Sequence, residues 1–164
     1  VRPMGRTARG VIGIRMAEDD RLVEMEVLSG KPDILTVSEN GYGKRTPVTE
    51  YRQQSRGGSG IINMRTTARN GKVIAAMEAE EEDQLLLITA KGKIIRMDVA
   101  GISRIGRATQ GVRLITCGAD DQVVSAIRTA EREEEGTSAP VSTAPEELDE
   151  PVDDADDGSE GEES

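Results

Sequence analysis

The sequence predicts an all-β fold of propeller-like repeats of about 50 residues over 1–130, followed by a disordered acidic tail over 131–164. Three observations carry this reading. The body repeats itself at a fixed spacing, its apolar runs are punctuated by turn dipeptides at that same spacing, and its charge changes sign abruptly near residue 130. No stretch holds an apolar period of 3.6 residues, so helix is a poor description of any of it.

The repeat comes first, because self-similarity at a fixed period decides the architecture. Residues 5–15 (GRTARGVIGIR) return at 55–65 (SRGGSGIINMR) and at 106–115 (GRATQGVRLI), and their glycines Gly10, Gly60 and Gly111 are 50 and 51 apart. Residues 22–27 (LVEMEV) return at 73–77 (VIAAM) and 123–127 (VVSAI). Residues 34–45 (ILTVSENGYGKR) return at 85–96 (LLLITAKGKIIR), so Arg45 and Arg96 are again 51 apart. Asn40-Gly41 and Lys91-Gly92 interrupt apolar runs, Asn70-Gly71 precedes Val73, and Asp120-Asp121 precedes Val123. An Asn-Gly pair between apolar runs predicts a two-residue type I′ hairpin turn, in which both central residues take positive φ. Four short strands per unit suggest blades arranged radially, each leaving short edges. Three such blades do not close a ring, and a chain opening on Val1 reads as a piece of something longer.

Composition limits the chemistry. Phe, Trp and His are absent, and Tyr42 and Tyr51 are the only aromatic residues, so the core is built from Val, Ile, Leu, Met and Ala. Without His there is no Ser-His-Asp or Cys-His nucleophile and no imidazole metal ligand. The single Cys117 forms no internal disulfide, which points to a reducing compartment. There is no long apolar run and no basic-then-apolar leader, so a cytoplasmic chain without membrane contact is expected. Acidic clusters at Asp19-Asp20, Glu80-Glu81-Glu82-Asp83 and Asp120-Asp121 fall at connectors, where solvated turn residues are expected and no base or nucleophile accompanies them.

The net charge of -10 conceals a segregation. Residues 131–164 hold 15 acidic residues and one basic, a net of -14, which leaves 16 acidic and 20 basic residues, a net of +4, in 1–130. Such a tail cannot bury enough apolar surface to offset its chain entropy. It serves solubility, or it competes intramolecularly for a basic surface until a stronger polyanion displaces it.

Basic residues recur at matching places. Arg6, Arg56 and Arg107 precede the repeat glycine by four residues, Arg15 and Arg65 follow it by five, and Lys44, Arg45, Lys93 and Arg96 sit past a hairpin turn. Arg9, Arg52, Arg104 and Arg113 lie near them in sequence. Rotation from blade to blade would turn repeated positions into a basic stripe around a rim, the arrangement that follows a curved phosphate backbone. The loop Gln54, Ser55, Arg56, Gly57, Gly58, Ser59, Gly60 sets an Arg among glycines that let backbone N–H groups approach an anion. A dinucleotide or P-loop reading fails, since no G-x-G-x-x-G leads into a helix and no G-K-[ST] is present.

Residues 1–5 (VRPMG), 40–46 (NGYGKRT), 106–112 (GRATQGV) and the acidic C-terminus together resemble the C-terminal domain of bacterial DNA gyrase A. The resemblance runs from Val1 to about Ala130 and implies a β-pinwheel of six four-stranded blades with strands exchanged between neighbours, of which residues 1–130 would be about three blades, the second half. It implies non-sequence-specific double-stranded DNA binding and wrapping by a basic rim, in support of ATP-dependent negative supercoiling. The implied partners are DNA, the rest of a dimeric gyrase A, and gyrase B, in a nucleoid-associated complex of two copies of each. No cofactor is expected in this fragment, ATP and magnesium being used by the parent complex. The family's signature heptapeptide carries basic residues where Ser55 and Ser59 stand, so residues 54–60 look like a degenerate internal copy of it. The family's active-site tyrosine belongs to another domain, so Tyr42 and Tyr51 are expected to pack. Two alternatives stay open: the corresponding DNA-bending C-terminal domain of topoisomerase IV, and a propeller that binds protein partners.

Overall fold

The computed structural model describes residues 2–130, and the acidic tail of 131–164 lies outside the described residues. The described residues form seven strands: β1 (Asp33–Ser38), β2 (Tyr42–Pro47), β3 (Val73–Ala79), β4 (Gln84–Thr89), β5 (Ile94–Asp98), β6 (Val112–Arg113) and β7 (Val123–Thr129). Single 3-10 turns at Val48–Glu50 and Val99–Gly101 follow β2 and β5 at the 51-residue offset, and the fold is all-β as the sequence predicts.

The strands form two antiparallel sheets, ordered β3-β1-β2-β6 and β5-β4-β7. Neither order follows the chain: the hairpin β1-β2 accepts β3 and β6 from later repeats, and the hairpin β4-β5 accepts β7. The repeat is reproduced in the register. Asp33 faces Pro47 across the first hairpin as Gln84 faces Asp98 across the second. The β1–β3 ladder breaks register between Val37 and Ser38, and the β4–β7 ladder breaks between Ile88 and Thr89, the same place one repeat on.

Alternation explains the packing. On β4, Leu85 and Leu87 are buried and Leu86 and Ile88 less so, the period-2 pattern of a strand with one face on a core. Leu85 and Leu87 join Leu35, Val37, Met77, Val99, Ile102 and Ile115 in one apolar cluster drawn from both sheets. Burying a side chain of this size contributes about 1.5–3 kcal/mol, and with no Phe or Trp available the core has to reach that by number.

The hairpins differ from expectation. Gly41 (φ 78°) and Gly92 (φ 81°) take positive φ, whereas Asn40 and Lys91 do not. Gly41 N–H donates to Ser38 O at 3.0 Å and Gly92 N–H to Thr89 O at 2.9 Å. Each connection is therefore a four-residue turn ending on a left-handed glycine, the bulged three-residue hairpin loop, and not a type I′ turn. At Gly41 the constraint is also spatial, because a Cβ there would lie 2.6 Å from the Ile115 carbonyl oxygen.

Residues 22–27, expected as a strand, form none and are exposed. Their counterparts β3 and β7 each pair with the first strand of the hairpin one repeat earlier, and for 22–27 that position falls before residue 1. The segment instead runs beside the free edge of β3, where Glu24 accepts the Ala76 N–H at 2.8 Å and Glu26 the Glu78 N–H at 3.4 Å.

Candidate nucleic-acid interface

Two repeated arginines are presented by equivalent backbone. Arg15 N–H donates to Gly58 O at 2.8 Å, and Arg65 N–H donates to Thr109 O at 2.9 Å. One turn of each pair is closed in the same way, by Gly57 N–H on Gly13 O and Ala108 N–H on Asn63 O, both at 2.9 Å. Both side chains are exposed, as are those of Arg6, Arg9, Arg52 and Arg56, and none of these six pairs with a carboxylate among the described residues. The loop at 54–60 stands against Gly13 and Ile14, where a shallow cleft of about 250 Å³ is lined by Gln54, Ser55, Arg56, Gly58 and Gly60.

The later basic residues are placed less uniformly. Lys93 and Arg96 are exposed, with Arg96 Nε donating to Gln84 Oε1. Arg104 is half-exposed and its Nε donates to Asp33 Oδ1 at 2.8 Å. Arg107 is partly buried; its N–H donates to Glu50 Oε2 at 3.1 Å, and its Nη1 is enclosed without a hydrogen-bond partner. Arg113 is exposed and its Nη2 donates to Tyr42 Oη at 2.9 Å.

Lys44 and Arg45 have to be removed from the expected DNA-binding set, because both are inside the fold. Lys44 has no solvent exposure, and its Nζ donates to the carbonyls of Asn63 and Gly106, each at 2.8 Å. Desolvation by burial holds its pKa below the usual lysine value. Arg45 donates through Nε to Ile102 O at 2.9 Å and through Nη1 to Glu81 at 3.1 Å and Asp33 at 3.5 Å. The reason lies in strand position. At Arg45 the connector 100–105 runs along β2, with Arg45 N–H donating to Ser103 O at 3.0 Å and Ile105 N–H to Arg45 O at 2.8 Å, whereas β5 is an edge strand, so Arg96, the repeat partner of Arg45, reaches solvent.

The acidic connector 80–83 also departs from the solvated turn expected of it. Asp83 is buried and is gripped by Lys31 Nζ at 2.9 Å and Arg128 Nη1 at 3.3 Å. Burial alone would raise its pKa, but the Lys31 ammonium, the Glu80 amide and the Arg128 charge outweigh that and hold the carboxyl below the usual aspartate value. Tyr51 packs as expected, partly buried, with its hydroxyl donating to Asn63 Oδ1. Tyr42 is buried too, but it has a polar role that packing did not foresee: its Oη also accepts from Arg69 Nε at 3.1 Å. Arg69 was not among the expected residues, although its place beside the Asn70-Gly71 turn was a usable signal.

The comparisons with known proteins agree with this architecture. The sequence model of the DNA gyrase C-terminal domain, beta-propeller, matches residues 1–29, 32–79 and 83–130, one segment per repeat. The DNA gyrase A protein of Salmonella typhimurium is 47% identical over 131 residues, covering 80% of this chain and 15% of that protein. The DNA gyrase A protein of Staphylococcus aureus is 48% identical over 137 residues, covering 82% of this chain and again 15% of the relative. The chain thus spans a small part of the length of these relatives. Among solved structures, a DNA gyrase A C-terminal domain superposes with a TM-score of 0.71 at 29% identity, over 78% of this chain and 44% of that one. The C-terminal domain of a DNA topoisomerase IV shares the fold with a TM-score of 0.67 at 23% identity, over 74% of this chain and 38% of that one. With three consecutive repeats matched, this chain belongs to the DNA gyrase C-terminal domain family of β-propellers.

Proposed function

We propose that residues 1–130 bind double-stranded DNA without sequence preference through their exposed arginines and lysines, and bend it around the domain as part of a gyrase A protein. The observation that carries this is the pair Arg15 and Arg65, exposed at repeat-equivalent positions on equivalent backbone hydrogen bonds. Phosphates recur along a duplex at a regular spacing, and a repeated cation on a repeated scaffold is suited to meet them. Bending 20–30 bp through 40–90° costs about 1–6 kcal/mol, offset by phosphate contacts that release counterions. The absence of aromatic residues beyond two tyrosines disfavours a stacking, single-strand mode.

In this reading the whole protein works in the cytoplasm, on nucleoid DNA, as a dimer of gyrase A with gyrase B, which supplies ATP-dependent chemistry with magnesium. Residues 131–164, with a net charge of -14 against +4 in the body, act as an internal competitor for the basic surface. The fold shared with topoisomerase IV favours a second reading, bending without wrapping. Ligation of nicked circles in the presence of the chain separates the two, since wrapping shifts the linking number in one direction and bending alone does not.

The test is anisotropy of a labelled duplex over a salt series. Six phosphate contacts give a slope of log K against log[salt] of about -5, the same for unrelated sequences, with tighter binding when 131–164 is removed. A folded chain that binds with no salt dependence, or binds no duplex, overturns the DNA reading.

A further inference from the structure

Two turns far apart in sequence meet beside β2. Asn40 N–H donates to Asn70 O at 3.2 Å, and Asn40 Nδ2 donates to the carbonyls of Ala68 and Arg69, both at 3.2 Å. This contact brings Arg69 to Tyr42. From the other side, β6 pairs with β2 in a register that sets Arg113 opposite Tyr42. Two guanidinium groups therefore converge on one phenol, with Arg69 Nε at 3.1 Å and Arg113 Nη2 at 2.9 Å from Tyr42 Oη. Their Cζ atoms stand 5.2 and 5.5 Å from the ring centroid.

Three features set this group apart from a packing contact. The tyrosine is 3% exposed and fixed, while both arginines are exposed. Neither arginine pairs with a carboxylate among the described residues, so two like charges are held together uncompensated. Tyr42 Oη accepts from both, and its own proton has no acceptor among the described residues. A cleft of about 300 Å³ opens at this point, lined by Tyr42, Arg69, Arg113 and Asn40. Asp121 is on its wall, but Oδ1 of that carboxylate takes the Lys91 and Gln122 amides at 3.1 and 3.0 Å.

We propose that Tyr42, Arg69 and Arg113 form a phosphate clamp, in which a backbone phosphate of bound duplex lies between the two guanidinium groups and accepts a hydrogen bond from the Tyr42 hydroxyl. Each guanidinium has five N–H donors and spends one on Tyr42, which leaves planar forks for a tetrahedral anion. The two cations at Tyr42 Oη, Arg113 first, also hold its pKa below the usual tyrosine value, as a pocket of positive potential would. The inference rests on the DNA-binding reading above and refines it: Arg69 becomes a contact, and Tyr42 a contact that also aims the two arginines.

The test uses the full chain, a labelled duplex and a salt series, with circular dichroism on each variant. Arg69→Gln and Arg113→Gln are each expected to take about 0.9 from the magnitude of the salt slope, and the double variant about 1.8. Tyr42→Phe keeps both charges and is expected to weaken binding about tenfold while leaving the slope in place. Arg69→Lys keeps the charge without the fork and should behave like Tyr42→Phe, which preserves the test should a glutamine variant misfold. If Arg15→Gln lowers the slope and the folded double variant does not, DNA binds elsewhere and the clamp is overturned alone. If the wild-type chain shows no salt-steep binding, the DNA reading falls and the clamp with it.

Discussion

Lys44 Nζ donates to the carbonyl oxygen of Gly106 at 2.8 Å from a side chain with no solvent exposure, joining β2 to a connector more than one repeat away. A lysine in such a place belongs to the fold. Lys44→Met is expected to lower stability by about 1.5–3 kcal/mol, the range for hydrogen bonds made by a charged donor, and to leave the salt slope of DNA binding unchanged. A stable variant whose slope drops by about one unit would place Lys44 at the DNA after all.

Asp33 is buried and holds two arginines, Arg104 at 2.8 Å and Arg45 at 3.5 Å. Asp33→Asn keeps the shape and removes the charge, leaving the buried Arg45 with Glu81 as its remaining carboxylate. Destabilisation of about 2 kcal/mol or more is expected from a buried pair losing one partner, read by urea denaturation. An unchanged midpoint would show that Arg45 is satisfied by the carbonyls of Ile102 and Ala100.

Glu78 sets a pH dependence. Its carboxylate accepts the Ser29 hydroxyl and the Ser29 N–H, both at 2.6 Å, and the Gly30 N–H at 3.3 Å. These bonds, the Ser29 hydroxyl foremost, hold its pKa below the ordinary 4.5. A carboxyl depressed in the folded state stabilises the fold fully above its unfolded pKa and loses that contribution as pH falls below it. The stability gap between wild type and Glu78→Gln should therefore be constant at neutral pH and narrow below about 4.5. A gap that widens with acidification would reverse the assignment.

The two phenols should titrate apart. Hydrogen bonds from Arg113 and Arg69 lower Tyr42, and burial raises Tyr51, on either side of the ordinary value of 10.0. Ultraviolet titration is expected to show two steps, with the earlier one missing in Tyr42→Phe. Loss of the later step instead would exchange the two environments.

The repeat was legible because strand exchange preserves register: a spacing of 51 in sequence became the same ladder twice, down to the breaks at Val37/Ser38 and Ile88/Thr89. What sequence could not show was which copy of a repeated position is covered. Arg45 and Arg96 are equivalent by spacing, yet the connector 100–105 pairs along β2 at Arg45, while β5 is an edge strand among the described residues. The strand expected at 22–27 failed for a related reason, since a strand depends on its partner as much as on its own residues. Asp83 looked like a turn residue because Lys31 and Arg128, which bury it, are 52 and 45 positions away. Arg69 was missed because its partner Tyr42 is reached only through the meeting of two turns.

The central claim is that repeated, exposed arginines meet DNA phosphates, and the most direct measurement is the salt slope of duplex binding for the full chain beside Arg15→Gln/Arg65→Gln. The account predicts a steep slope for the wild type, a loss of about 1.8 in its magnitude for the double variant, and no change in folding. A folded double variant with the wild-type slope and affinity would contradict it.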